Sequence, residues 1–311
     1  MKTKNKTMTV SAVCGLLLAG YGAQAQNLFV GDYATETIIK YSGTTPSTFA
    51  TGMDYPTGLA FDSSGDLFEG DQFSGNIYEW VGAGSTRTTF ASGLNQPGPM
   101  AFNAAGNLFV LVNGELDEFS PAGIIINTIT GFSTAGGLAF DRAGNLYVSN
   151  INGGGAGAGF ITRITPGGVQ STFASGLTYP TGFAFNAAGN MFVADAYGLS
   201  GNTANGYDTI TEITPAGSES VFASGLNNPG TIAFDRASDM FVADNGIFNG
   251  NGDITEFLVN GTQSVFGTSL RPTAMAFQGV ALPVPEPSTY ALAGLGFAAL
   301  LAGSRRRNQT A

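Results

Sequence analysis

The 311-residue chain contains no histidine and a single cysteine, Cys14. Without histidine, both the commonest general base and the imidazole metal ligand are missing. One cysteine cannot staple a fold with an internal disulfide. Basic residues are also scarce, 12 Lys and Arg against 22 Asp and Glu, so the positive footprint that nucleic acid demands is absent. The sequence has no nucleophile elbow, phosphate loop, Cys/His metal motif or dinucleotide fingerprint. Charged residues make up only 11% of the chain and apolar ones 43%, which is ample for a packed core. What abounds is glycine, 46 residues without a three-residue period. Glycine used this way marks turns, and many turns point to an all-β architecture.

The two ends differ from everything between them. Residues 1–25 read as a secretory signal: Lys2, Lys4 and Lys6, an apolar run over 10–19, then Ala23-Gln24-Ala25 as a small-x-small cleavage site that leaves Gln26 first. Cys14 lies inside that segment and is expected to leave with it. At the other end a proline-rich stretch, "ALPVPEPS", precedes 16 uncharged residues (288–303) and then Arg305, Arg306 and Arg307. As a helix, those residues reach about 24 Å against a hydrocarbon layer of ~30 Å, a marginal span that the arginines would stop on the cytoplasmic side. Without the two ends, six basic residues face 21 acidic ones, a net charge of −15. That charge disfavours nucleic acid and anionic lipid, and leaves cations, neutral glycans and basic surfaces as partners.

Between the ends the sequence repeats itself. "FASGLTYPTGFAFNAAGNMFVAD" (173–195) is echoed by "FASGLNNPGTIAFDRASDMFVAD" (222–244), and looser copies place a marker phenylalanine at Phe61, Phe102, Phe140, Phe185, Phe234 and Phe277, 38 to 49 residues apart. Each copy reads as four strands, with Asn or Asp opening a tight turn after the first and Gly supplying its left-handed residue. Repeats of this length fit the four-stranded blades of a propeller. The leftover pieces are complementary: "NLFVGD" at the start of the mature chain is a second strand without a first, and "TAMAF" before Gln278 is a first strand without a second. The expectation is a six-bladed β-propeller over 26–282, closed by the N-terminal strands pairing with the C-terminal one, between a signal (1–25) and a tail (283–311). An open solenoid would leave the complementary ends unused.

The segments "YPTGLAFD" and "GNMFVAD", with the Ile-x-x-Ile strand that follows them, resemble the NHL and gluconolactonase-like (SMP-30) six-bladed propellers across about residues 27–280. The shared residues are strand and turn positions, so the resemblance speaks for fold. It implies as a first catalytic idea a lactonase-like hydrolase with a divalent cation held in the central channel by Glu, Asn and Asp. No clear Glu-Gly-Pro segment marks that metal set here. The tail, with Pro285-Glu286-Pro287, a short apolar stretch and the three arginines, resembles the PEP-CTERM sorting signal of Gram-negative bacteria. That resemblance implies an exosortase-type membrane protease as partner, transient membrane anchoring by the C-terminal helix, delivery to the cell surface or beyond, and by association an exopolysaccharide or biofilm matrix. An ordinary anchor that stays attached is the other reading of the same residues.

Two features of the repeats are candidates for chemistry. An acid recurs at the end of the second strand, as Asp32, Asp71, Asp195 and Asp244 with Asn150 in the same place, a partial ring of oxygen ligands suited to Ca²⁺ or another divalent cation. The competing reading is turn-fixing, because an Asp there accepts backbone N–H bonds. The loops after the second strands of the later repeats are long and rich in Gly and Asn, the usual place for binding on a rigid scaffold. The leading expectation is an exported binding or structural module for glycan or protein. The alternatives are the metal-dependent hydrolase and a calcium-stabilised adhesin.

Overall fold

The computed structural model describes residues 26–279, except 85, 133, 152–156, 197–207 and 245–251. These residues form twenty-four strands in six four-stranded antiparallel sheets, with one 3₁₀ turn at Val81–Ala83 and no α-helix. The inner strands of blades 1 to 6 are Pro272–Phe277, Pro56–Phe61, Pro97–Phe102, Ala135–Phe140, Pro180–Phe185 and Pro229–Phe234. They touch one another in a closed ring around a channel. The second strands, in the same order, are Asn27–Asp32, Leu67–Asp71, Leu108–Val112, Leu146–Asn150, Met191–Asp195 and Met240–Asp244. Blade 1 is composite: Leu28 pairs with Phe277, Phe29 with Ala276 and Val30 with Met275. The first described residues thus lie against the last repeat, and the sheet hydrogen bonds that join them close the circle.

The second strands are buried along their whole length in blades 2 to 5, because alternate residues face opposite neighbours. In blade 1, Phe29 packs toward blade 2 with Leu67 and Trp80, while Leu28 and Val30 pack toward blade 6 with Phe241 and Ile254. The same alternation produces six apolar clusters, one per seam between consecutive blades. Edge-to-face phenylalanine contacts recur in them, such as Phe68 with Phe102 at 4.9 Å and Phe192 with Phe234 at 5.3 Å. Burying one such side chain stabilises the fold by about 2 kcal/mol, so the seams carry the stability that disulfides supply elsewhere.

The inner strands come so close that side chains give way to backbone. A Cβ on Gly58 would lie 2.3 Å from the carbonyl oxygen of Gly98, and one on Gly182 2.7 Å from that of Gly230. Threonines staple neighbouring blades here: Thr57 donates its hydroxyl to Pro97 O at 2.8 Å, and Thr181 to Pro229 O at 3.0 Å. Pairing Pro56 with Asp71, and Pro180 with Asp195, sets the starts of inner strands beside the ends of second strands. The connections between blades and the loops after the second strands therefore share one face, at the channel mouth. The opposite face carries tight hairpins such as Asp62–Asp66, where Asp62 Oδ1 accepts the amides of Ser64 and Asp66.

Candidate functional site at the channel mouth

The recurrent acids are clips. Asp195 Oδ1 accepts the amides of Thr178 at 2.9 Å and Tyr179 at 2.6 Å, from the connection that leads into its own blade. Asp71 takes the amide of Asp54 at 2.8 Å, Asp244 that of Asn227 at 2.6 Å and Asp32 that of Arg271 at 3.0 Å. Asp32 and Asp71 also hold their following loops, through Ala34 and Ser74. Asn150 uses its amide differently, donating to Val148 O and Thr162 Oγ1, and blade 3 has Val112 at this place. Geometry at these positions is that of an acid fixing the interblade connection, a broader task than fixing a single turn. Among the described residues no three His, Cys, Asp or Glu side chains are grouped to hold a metal ion.

Burial dominates the acid chemistry at blades 5 and 6. It pushes Asp244 up to about 6, against the pull of the Asn227 amide and with added repulsion from Asp253 and Asp208. It also raises Asp195, where the Thr178 and Tyr179 amides oppose the shift and Asp208 adds to it.

The channel has a volume of ≈ 590 Å³ and is lined by all six inner strands. Its lining consists of glycine backbone, threonines, apolar side chains, Asn228, Tyr33, Tyr55 and Arg271, without Asp or Glu among the described lining residues. The donor set does not fit the divalent-cation centre that the gluconolactonase-like resemblance implies, and Thr57, Thr181 and Thr273 already donate their hydroxyls to carbonyls. Such a channel can hold and orient a ligand, and described carboxylates such as Asp195 and Asp244 stand at its mouth rather than in its lining.

What varies at the mouth is one position per blade. The residue just before each inner strand is Arg271, Tyr55, Gln96, Thr134, Tyr179 and Asn228 in blades 1 to 6, while the next residue is proline in five blades and Ala135 in the other. In four blades the backbone carbonyl of that residue is pinned by an amide after the second strand: Tyr33 N to Arg271 O at 3.1 Å, Gln72 N to Tyr55 O at 3.0 Å, Ile151 N to Thr134 O at 2.9 Å and Ala196 N to Tyr179 O at 3.0 Å. The main chain is fixed and the side chain is free to differ. Tyr55, Gln96 and Asn228 hold φ at +74°, +57° and +62°, which costs a non-glycine residue about 1 kcal/mol and gathers at functional sites.

Aromatic and amide side chains divide the mouth over blades 1 to 3. Tyr33 and Tyr55 have ring centroids 4.4 Å apart, Tyr55 and Phe73 5.1 Å, and the Arg271 guanidinium lies 5.3 Å over Tyr33. Phe73 is 60% exposed and Tyr33 37%. Beside them a pocket of ≈ 240 Å³ is lined by Gln72, Gln96, Asn113 and Thr134, and shares Thr57 with the channel. Sequence reading did not single out these residues. Their signal was present in the repeats, as the one position that differs from copy to copy before a near-constant proline. The long loops after the second strands of blades 4 to 6, expected to bind, fall mostly outside the described residues. So do Ala23 and Ala25 of the expected signal cleavage site and the tail from Pro285, Glu286 and Pro287 to Arg305, Arg306 and Arg307. Among the described residues no helix is long and apolar enough to cross a membrane.

Solved structures place the fold among six-bladed propellers. The chain is similar to a component of a nidogen–laminin complex (TM-score 0.67, 18% identity, 81% of this chain and 98% of that one). It is also similar to a protein described as a gluconolactonase (0.58, 13%, 73% and 82%) and to virginiamycin B lyase of Staphylococcus aureus (0.57, 12%, 83% and 89%). At such identities the likeness is one of fold. No curated protein matches the chain in sequence. Residues 283–307, however, match the PEP-CTERM protein-sorting motif. The motif implies export, sorting to the membrane or cell surface, and processing by an exosortase-type membrane enzyme.

Proposed function

We propose that this is an exported propeller that works as a binding module at the cell surface, with its channel mouth as the recognition face. The observation that carries the reading is where the two ends leave the domain. Gln278 N donates to Asn27 O at 2.9 Å, on the face opposite the mouth, and Gln26 Nε2 donates to Gln278 O at 3.2 Å. Arg236 grips the Gly279 carbonyl through Nε at 3.0 Å and through Nη2, while its amide donates to Gln26 Oε1 at 2.7 Å. Both ends are thus clasped together at the bottom of the disc. A chain tethered through the segment after Gly279 presents its mouth away from the membrane, and removal of that segment leaves the clasp intact.

Fractionation of producing cells tests the reading. The full chain should pass through the membrane fraction to the cell surface or the medium, shortened near Pro287 in intact mass, and deletion of 283–311 should bypass the membrane-bound stage. Retention of the full chain in the cytoplasm would overturn export. Lactone turnover abolished by a chelator would replace the binding role with the hydrolase.

A further inference from the structure

We infer that the mouth over blades 1 to 3 is a carbohydrate site, in which a neutral polysaccharide chain stacks on the Tyr33–Tyr55–Phe73 ledge and is hydrogen-bonded by Gln72, Gln96 and Asn113. The inference rests on the mouth being the recognition face, and goes further by naming the ligand class and the residues. Three aromatic rings in contact, two of them among the exposed large hydrophobic residues of the domain, are costly to leave in water unless something covers them. A pyranose suits them: its C–H face carries partial positive charge and meets the electron-rich face of a ring. Its hydroxyls, projecting at the edges, need groups that both donate and accept.

The adjoining pocket supplies such groups. The side-chain amides of Gln72, Gln96 and Asn113 form no hydrogen bond with another described residue, and each amide offers two donors and an acceptor. Blade 3 opens this side because its second and third strands are joined by Asn113-Gly114 alone, with φ of +46° and +84°, the tight hairpin that the pair favours. Thr57 lines both cavities, so ledge, pocket and channel are continuous.

Charge separates this occupant from others. The net −15 of residues 26–282 repels an acidic polysaccharide. A quaternary ammonium, which aromatic cages also bind, would meet Arg271 stacked on Tyr33. The rings are tilted by 57° and 49° to one another, a curved ledge that suits one soluble, twisted chain better than a flat crystalline surface.

The full chain in mild detergent, run in native gels containing dextran, mixed-linkage β-glucan or xylan, should be retarded by at least one of them and not by alginate. Tyr55→Ala and Phe73→Ala should each raise the Kd from such gels tenfold or more and Gln96→Ala about threefold. Phe222→Ala, at an exposed aromatic on the outer strand of blade 5, should leave it unchanged. Circular dichroism of the Phe73 variant, whose ring is surface-exposed, checks that the fold survives. Retardation that survives both aromatic substitutions would move the site elsewhere and overturn this inference, while the binding module would stand. Retardation by alginate alone, or by no neutral glycan, would also overturn it.

Discussion

The seam between blades 1 and 2 differs in kind from the seam between blades 4 and 5 at the middle of the second strand. At the middle of the second strand five blades carry valine, Val30, Val110, Val148, Val193 and Val242, all fully buried; blade 2 carries Glu69, equally inaccessible. Val193 packs with Ile161, Phe183 and Ile213. Glu69 sits on the same side of its strand as Leu67, pairs across the sheet with Leu59 and Tyr78, and neither of its carboxylate oxygens has a hydrogen-bond partner. Burial pushes its carboxyl well above the usual range, Asp71 adds to the rise, and Arg87 partly opposes it. Arg87 itself stacks over the Tyr78 ring at 4.3 Å and touches Met53 Sδ. The two seams teach that the propeller tolerates one buried acid, without a hydrogen-bond partner, in a position built for a branched apolar side chain, with the other seams supplying the stability it forgoes.

Writing the blade-2 residue into the apolar seam should have the largest effect. Val193→Glu buries a carboxyl among Ile161, Phe183 and Ile213 without even the distant guanidinium that Glu69 has. The expected cost at neutral pH is about 4 kcal/mol, read as a lower midpoint in urea unfolding. A loss under about 1 kcal/mol would mean that the seams are looser than their packing implies.

The reverse exchange should stabilise. Glu69→Val restores the residue of the other five blades and removes two orphaned oxygens, for a gain of about 2 kcal/mol at pH 8. The gain depends on pH, and its sign follows from proton linkage. Glu69 holds its proton more tightly folded than unfolded, so its stabilising contribution is complete below the ordinary Glu value of 4.5 and is lost as pH rises toward the raised folded value. The wild type should therefore lose melting temperature from pH 4.5 upward, and Glu69→Val should remove most of that slope. The other carboxyls that burial raises, Asp244 to about 6 and Asp195, Glu79, Glu219, Asp235 and Glu256 less far, leave a smaller loss in both proteins. Parallel pH profiles for wild type and variant would show that Glu69 is ionised in the folded protein.

How much of this was legible in the sequence depends on whether a residue repeats. The blade length, the apolar second strands and the acids at their ends recur in several copies, so aligning the chain with itself displays them. In sequence Asp195 and Asp244 read as turn-fixing acids or metal ligands; only the folded chain shows that their partners, Thr178, Tyr179 and Asn227, lie 16 or 17 residues earlier in the interblade connection. Tyr55, Gln96 and Arg271 escaped notice because a search for repeats discards what varies. Glu69 stood in plain view in "LFEGD", yet a single acid in an apolar strand carries no sign of which neighbour it faces.

The smallest effect sharpens the comparison between the seams, because each ends in an acid clip. In Asp195→Asn, one amide oxygen replaces two carboxylate oxygens that hold Thr178 and Tyr179, and the charged hydrogen bonds become neutral ones, at a cost of about 1 kcal/mol near pH 8. Asp71→Asn loses a similar clip to Asp54 and Ser74, but it also removes the charge that adds to the rise at Glu69. Lowering the folded affinity of Glu69 for its proton shrinks the stability lost between acid and alkaline pH. The Asp71 variant should therefore cost less than the Asp195 variant at pH 8, by a few tenths of a kcal/mol, and the gap should close when both are made on the Glu69→Val background. Equal costs in the wild-type background, measured by urea unfolding, would mean that Asp71 and Glu69 do not act on each other along their shared strand face.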